Sequence, residues 1–118
     1  MDRRDVVAYC LAKPGAWLDQ PWEDDEVVKV ADKIFAFLGA PDVDSPRLGV
    51  KCGRTADDAA EIRHRYPSAV TISAYIGRYG WNSVALDGTV PDDELGELID
   101  ASYDAVVSAL PRAKRPAG

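Results

Sequence analysis

The segment at residues 81–95, WNSVALDGTVPDDEL, constrains the fold of this chain more than any other stretch. It predicts a strand at residues 83–86, a turn at residues 87–88 and a long amphipathic helix at residues 91–110. Pro91 suits the first turn of a helix, and the three acids that follow it complement the positive end of the helix dipole. One side of this helix carries, at spacings of three and four, Leu95, Leu98, Ile99, Ser102, Tyr103, Val106 and Leu110. Such a face has to be covered, so we expect the helix to pack on a sheet.

The other elements are predicted from local patterns of apolar and turn-forming residues. They are helices at residues 2–13 and 55–66 and strands at residues 26–30, 33–38, 47–52 and 70–74. The pattern Thr55-x-x-Asp58 resembles a capping box and marks the start of the second helix. No internal repeat and no linker between domains interrupts this order.

The first two strands are separated by only two residues, which predicts a tight hairpin. Asp32 is expected to take the left-handed turn conformation that glycine adopts at lower cost. Phe35 and Phe37 are expected on one face of the second strand, because side chains alternate along a strand. Residues 16–26 combine Trp17 and Trp22 with five acids and are predicted to form an irregular connector.

Length and composition predict a single globular domain at residues 1–110, followed by a flexible basic tail at residues 111–118. The chain has 118 residues, of which 47% are hydrophobic and 29% are charged. A domain of this size can bury a core without disulfides or metals. The tail carries Arg112, Lys114 and Arg115 and is expected to fray.

The charge balance limits the function classes. Fourteen Lys and Arg against twenty Asp and Glu give a net charge of −6, whereas nonspecific nucleic-acid binding depends on neutralising phosphates. Only a local basic face would overcome this mean charge. Cys10 and Cys52 lie far apart and are interpreted as small buried hydrophobes. No signal peptide or membrane-spanning stretch is recognised, so we expect a cytoplasmic protein. We also predict a monomer that needs no cofactor.

One set of side chains has the chemistry to contact nucleic acid. Aromatic faces beside cations can stack bases and hold phosphates. The candidate nucleic-acid-binding residues are Lys29, Lys33, Lys51, Tyr75, Arg78, Tyr79 and Trp81, and Arg63 and Arg65 extend the basic set if the hairpin and second helix lie side by side. The alternative interpretation is that the cations form a solvated face and the aromatic rings pack in the core.

No catalytic or metal-binding pattern is recognised. His64 is the only histidine, the acids near Trp22 lack the spacing of a calcium loop, and no P-loop or nucleophile elbow occurs. We therefore predict a protein that is not an enzyme and that holds no metal.

Four segments, taken together, resemble the MmcQ/YjbR family. They are YCLAKPGA, VVKVADKIFAFL, VKCGRTADDAAEIRHRYP and WNSVALDGTVPDDELGELIDASYDAVVSALP. The resemblance spans nearly the whole chain in the same order. It implies an α+β fold of two layers, with helices packed on an antiparallel sheet in the order α-β-β-β-α-β-β-α. It also implies DNA as a partner, because members of this family are commonly labelled DNA-binding.

One departure from the family pattern affects the functional expectation. Family sequences carry a stretch similar to P-x-Y-H-M-N-K-x-H-W before the final strand, whereas this chain has SAYIGRYGW. Tyr75 and Trp81 match, but both histidines and the asparagine are absent. Two hypotheses follow: a noncatalytic binding module that contacts DNA, or a protein-interaction domain that uses a face or an edge of its sheet.

Overall fold

The computed structural model describes residues 1–22, 24–53, 55–73 and 76–116, and the side chain of Arg78 lies outside the described part. Within these residues the chain forms three α-helices and six strands. The helices are α1 (Arg3–Leu11), α2 (Ala56–Arg65) and α3 (Asp92–Ala109). The strands are β1 (Ala16–Asp19), β2 (Glu26–Val30), β3 (Lys33–Gly39), β4 (Arg47–Lys51), β5 (Val70–Ile72) and β6 (Trp81–Ala85). Short 3₁₀ turns lie at Gly77–Tyr79 and Arg112–Lys114.

The strands form one antiparallel sheet in the order β1-β2-β3-β4-β6-β5. Val6 of α1, Ala59 of α2 and Ile99 of α3 join the same buried cluster as Val50 and Val84 of the sheet. All three helices therefore cover one face of the sheet, and the other face carries no helix within the described residues. The predicted α+β class and two-layer arrangement are confirmed, with four strands rather than three before α2.

Caps fix the starts of the first two helices. Asp2 and Asp5 exchange hydrogen bonds in a capping box at α1. At α2 the Thr55 hydroxyl accepts a hydrogen bond from the backbone N–H of Asp58 over 3.3 Å, as the sequence predicts. Three acids in the first turn of α3 complement its dipole.

Strand β1 corrects the prediction of an irregular connector at residues 16–26. Ala16 to Asp19 pair with β2 in regular antiparallel register. The Lys29 ammonium lies 5.2 Å from the centre of the Trp17 ring and 2.7 Å from an Asp19 carboxylate oxygen. The strand forms because it pairs with β2, and its own sequence has no pattern of apolar residues that indicates a strand. Only four residues long, it shows too short a pattern to be recognised locally.

A β-bulge corrects the predicted facing of the two phenylalanines of β3. Val28 pairs with Ala36 and Lys29 with Ile34, so Phe35 is an extra residue in the ladder. Phe35 lies in the core, where its ring meets Tyr103 edge-on at 5.2 Å. Phe37 points to the helix-free face. The bulge breaks the alternation that placed both rings on one face.

The hairpin between β2 and β3 is confirmed, but its strained residue is not the predicted one. Ala31 has a φ of +54°, whereas Asp32 does not have positive φ. The indole N–H of Trp17 donates to the Ala31 carbonyl oxygen over 2.9 Å. This contact ties the turn to the neighbouring edge strand.

The beginning of the basic tail folds back on α3. Arg115 donates hydrogen bonds to the carbonyl oxygens of Leu110 and Ser108. Residues 117–118 lie outside the described part, and the flexibility expected for residues 111–118 stays a prediction.

Candidate functional site

The face of the sheet opposite the helices is the candidate site, and we call it the open face. Partners in an antiparallel ladder share a face, so the register traces one row of side chains across all six strands. This row is Asp19, Val27, Phe37, Gly49, Ser83 and Thr71. Lys51 and Trp81 form a neighbouring pair on the same face. The open face thus combines aromatic, small and polar side chains.

Three aromatic rings lie in line on the open face. The rings of Trp22 and Phe37 are near parallel, with centres 6.4 Å apart, and Phe37 meets Trp81 edge-on at 5.3 Å. Trp22 is 54% exposed, and Phe37 and Trp81 are half-buried. Gly49 makes room for this row, because a Cβ there would lie 3.0 Å from Cβ of Phe37. Because all three rings are at least partly exposed, a ligand on the open face could contact them.

The charges of this region are sorted by strand. Strands β3, β4, β5 and β6 contain no Asp or Glu, and their charged residues are Lys33, Arg47 and Lys51. At the β1–β2 end of the sheet the positive charge of Lys29 is neutralised, because Lys29 of β2 is paired with Asp19 of β1. The hydrogen bond from Lys29 and that from the Gln20 backbone hold the pKa of Asp19 below its ordinary value. The sheet therefore has a basic part and a neutralised part.

Arg47 acts as a clamp across the open face. Its guanidinium donates to the Ser83 hydroxyl over 2.7 Å and to the Thr71 hydroxyl over 3.2 Å. It also donates to the carbonyl oxygens of Ser83 and Ala69. These bonds tie β4 to β6 and β5, so the side chain fixes the sheet while adding positive charge to it.

A cleft opens where β3 and β4 separate, and we call it the β3–β4 cleft. The two strands pair only at Ala36 with Val50 and at Phe37 with Gly49. Beyond these pairs the Ser102 hydroxyl accepts from the Lys51 N–H over 2.9 Å and donates to the Phe35 carbonyl over 2.6 Å. The cleft has a volume of about 210 Å³ and is lined by Lys33, Ile34, Lys51, Trp81, Ala105 and Ala109, among others.

The structure brings together three of the seven candidate nucleic-acid-binding residues. Lys33, Lys51 and Trp81 line the β3–β4 cleft. Lys29 lies on the open face but is engaged by Asp19. Tyr79 is 51% exposed in the 3₁₀ turn before β6. Tyr75 and the side chain of Arg78 lie outside the described residues.

The two helical arginines of the wider basic set point elsewhere. Arg63 donates to the buried Asn82 side chain over 2.7 Å, and Asn82 in turn donates to the Ala59 carbonyl oxygen. Arg65 is paired with Glu94. Both arginines belong to the helix layer. The structure therefore separates them from Lys33 and Lys51.

Sequence reasoning missed three parts of this surface. The sequence pattern places Phe37 on the same face as Phe35, places Trp22 in a connector, and predicts Arg47 only as the start of a strand. The bulge at Phe35 has no local signal that a period-two pattern detects. The stacking of Trp22 on Phe37 depends on a contact across 15 positions of the chain, which no local window contains.

Among the described residues, no group of three or more His, Cys, Asp and Glu side chains is placed to hold a metal ion. Cys10 and Cys52 are buried and unpaired with each other. None of the helices in the same part of the chain combines the length and the apolarity needed to cross a bilayer.

Comparisons with known proteins agree with this architecture. The family model described as YjbR matches residues 11–105. The uncharacterized protein YjbR of Escherichia coli K12 is 34% identical over 113 residues, covering 94% of this chain and 92% of the E. coli protein. A protein of the same description from E. coli O157:H7 gives the same values.

Solved structures share the fold. A Deinococcus radiodurans protein with the DUF419 family-model domain superposes with a TM-score of 0.84 at 26% identity, covering 96% of this chain and 84% of that one. A Pseudomonas syringae protein superposes with a TM-score of 0.73 at 21% identity, covering 89% of this chain and 98% of that one. The family match over residues 11–105 and the 34% identity to E. coli YjbR confirm the resemblance noted in the sequence, and this chain belongs to the YjbR family.

Proposed function

We propose that this protein is a noncatalytic binding module that holds nucleic acid on the open face of its sheet. The observation that carries the proposal is the sorting of charge. The whole chain has a net charge of −6, yet Arg47 and Lys51 of β4 lie on the open face, Lys33 lines the adjoining β3–β4 cleft, and β3, β4, β5 and β6 contain no acid. Charge of one sign on a surface attracts a ligand of the opposite sign despite an unfavourable mean.

The aromatic rings support the same ligand class. Phe37 pairs with Gly49, midway between Arg47 and Lys51 of β4, and its ring contacts Trp81, which pairs with Lys51. Aromatic side chains next to cations are the chemistry that proteins use to stack bases and hold the phosphates between them. Lys29, which is engaged by Asp19, and the exposed Tyr79 before β6 stay in the proposed set. Tyr75 and Arg78 remain part of the proposed set on sequence grounds.

A fluorescence-anisotropy titration with labelled single-stranded and duplex DNA at low and at moderate salt tests the proposal. We expect binding at low salt that weakens as salt rises, with a slope of about 0.7 per phosphate contacted on a single strand. The variant Lys33→Gln/Lys51→Gln should lose most of the binding. The control Arg4→Gln/Arg65→Gln has the same net charge but changes the helix layer, and it should bind as the wild type does. Absence of binding to either DNA form at low salt would exclude the proposed function.

The second hypothesis, a protein-interaction domain, is favoured by one different observation. Strand β1 pairs only with β2 among the described strands, and Trp17 and Leu18 on it are 43% and 42% exposed. An edge of this kind can accept an additional strand from a partner. Under this hypothesis, Leu18→Lys should abolish recovery of a reproducible partner from host lysate while nucleic-acid binding is unchanged.

A further inference from the structure

We infer that the β3–β4 cleft is a site for one unpaired nucleotide, with its base against Trp81 and its phosphate between Lys33 and Lys51. This inference rests on the proposed function and narrows it from nucleic acid in general to single strands. Three independent features of the cleft support it: its origin, its size and the charge of its lining.

The cleft exists because a side chain replaces part of the sheet ladder. Ser102 stands between the Lys51 N–H and the Phe35 carbonyl, where two neighbouring strands would otherwise bond directly. The fully buried hydroxyl satisfies both groups, so the separation of β3 and β4 is built into the fold. Ala105 and Ala109 of α3 line the opening with small side chains. A gap held open by satisfied hydrogen bonds does not need a ligand to form.

The size of the cleft favours a single ring system. Its volume of about 210 Å³ is below the roughly 300–1,000 Å³ of pockets that enclose drug-sized ligands. Trp81 supplies an aromatic wall, and Ile34 and Ala109 supply apolar ones. A flat base of a single nucleotide fits this lining, whereas a base pair does not.

The charge of the cleft selects an anion beside that ring. Lys33 and Lys51 both line it, and neither forms an ion pair with another described residue. Other lysines of the described chain behave differently, since Lys13, Lys29 and Lys114 each meet a carboxylate. Two ammonium groups that have no ion-pair partner among the described residues, placed around an aromatic wall, match the alternation of phosphate and base in a nucleic-acid strand.

Single strands follow from this geometry. Bases in a duplex are stacked and paired, so they reach a protein pocket only after being turned out of the helix at a cost of a few kcal/mol. The cleft is a recess between the sheet and α3. A base of a duplex would therefore have to leave its stack to enter it. A strand whose bases are already free enters without that cost.

Filling the cleft tests the inference. Ala109 and Ala101 are both exposed on α3, but only Ala109 lines the cleft. We expect Ala109→Leu to weaken binding of labelled oligothymidylate and oligouridylate by about tenfold, which corresponds to the loss of one stacked base. Ala101→Leu makes the same change of side chain outside the cleft and should leave binding unchanged.

The outcomes separate the two proposals. Tighter binding of single strands than of the matching duplex, together with loss in Ala109→Leu alone, supports the cleft as the site. Equal binding of single strand and duplex, or wild-type affinity in Ala109→Leu, overturns the inference even when Lys33→Gln/Lys51→Gln shows that nucleic acid binds at these lysines. Thermal unfolding of each variant, followed by circular dichroism, verifies that the leucines leave the fold intact.

Discussion

Asp24 and Ala31 are the described non-glycine residues with positive φ, and alanine tolerates this conformation less well than aspartate does. The φ of +54° at Ala31 lies in the left-handed region, which costs an L-residue with a Cβ roughly 1–2 kcal/mol. The hairpin keeps this conformation because β2 and β3 leave only two residues for the turn, and because the Trp17 indole holds the Ala31 carbonyl.

Replacing Ala31 with glycine should stabilise the protein. The substitution removes the Cβ that opposes positive φ and keeps the backbone carbonyl that accepts from Trp17, so the free energy of unfolding should rise by roughly 0.5–1 kcal/mol. The control Ala40→Gly, in a loop without positive φ, should instead lower it. Urea unfolding at constant pH measures both. A loss of stability in Ala31→Gly comparable to that in Ala40→Gly would show that the turn is not strained.

At the level of single residues, the sequence predicts a helix cap that has a local signal, but not a backbone conformation that depends on two paired strands. Thr55 is a cap because a threonine three residues before an aspartate is a local signal, and the bond to the Asp58 N–H forms as expected. The sequence favours Asp32 as the left-handed residue, because aspartate tolerates that conformation more readily than alanine does. The pairing of Val30 with Lys33 determines which turn residue has positive φ, and that residue is Ala31.

At the scale of elements, the junction of β3, β4 and α3 depends on Ser102. Its hydroxyl is the only group that joins the Lys51 N–H to the Phe35 carbonyl in the described chain. Removing one partner leaves buried donors and acceptors unsatisfied, which costs about 1–3 kcal/mol.

Ser102→Ala should therefore lower the free energy of unfolding by about 1–3 kcal/mol. Ser108 is the matched control, because it lies on the exposed side of the same helix and donates only to the carbonyl of Ala105. Ser108→Ala should change stability by less than about 0.5 kcal/mol. Denaturant unfolding of the two variants makes the comparison. Equal effects at the two positions would mean that the junction closes without the hydroxyl.

The elements divide into those with and those without a local signal. Helix α3 shows its apolar face over 18 residues, so a pattern of spacing three and four predicts it well. Strand β1 has four residues and is defined by pairing with β2. The bulge at Phe35 is likewise a property of two strands together. Patterns along one segment do not contain either contact, so the open face and the β3–β4 cleft emerge only from the assembled sheet.

At the scale of the whole molecule, net charge conceals how charge is arranged. The acids are concentrated in loops and in the first turns of the helices, including Asp57, Asp58, Asp92, Asp93 and Glu94. Strands β3, β4, β5 and β6 contain none. A sum over the sequence gives −6, and only the fold reveals that Arg47 and Lys51 share a sheet face formed by strands without acids.

Two buried thiols make the stability of the whole molecule depend on pH. Cys10 of α1 is fully buried, and Cys52 after β4 is 8% exposed. Burial raises the pKa of the Cys10 thiol to about 12 and that of the Cys52 thiol to about 11, above an ordinary value of 9.0. Both thiols thus stay protonated in the native state at pH values where the unfolded chain ionises them.

This difference in pKa should make stability fall in alkaline solution. Below pH 9 both states keep the thiol protons and the stabilising contribution is complete; above it, the unfolded chain releases protons that the native state retains until about pH 11–12. Near pH 10 the two thiols should together lower the free energy of unfolding by about 2 kcal/mol per pH unit. Urea unfolding between pH 8 and pH 10.5 measures this slope, and the variant Cys10→Ala/Cys52→Ala isolates it, because the other titrating groups are retained. The slope should be shallower by that amount in the variant. Parallel slopes would mean that the thiols ionise equally in the folded and unfolded states and that this part of the core admits water.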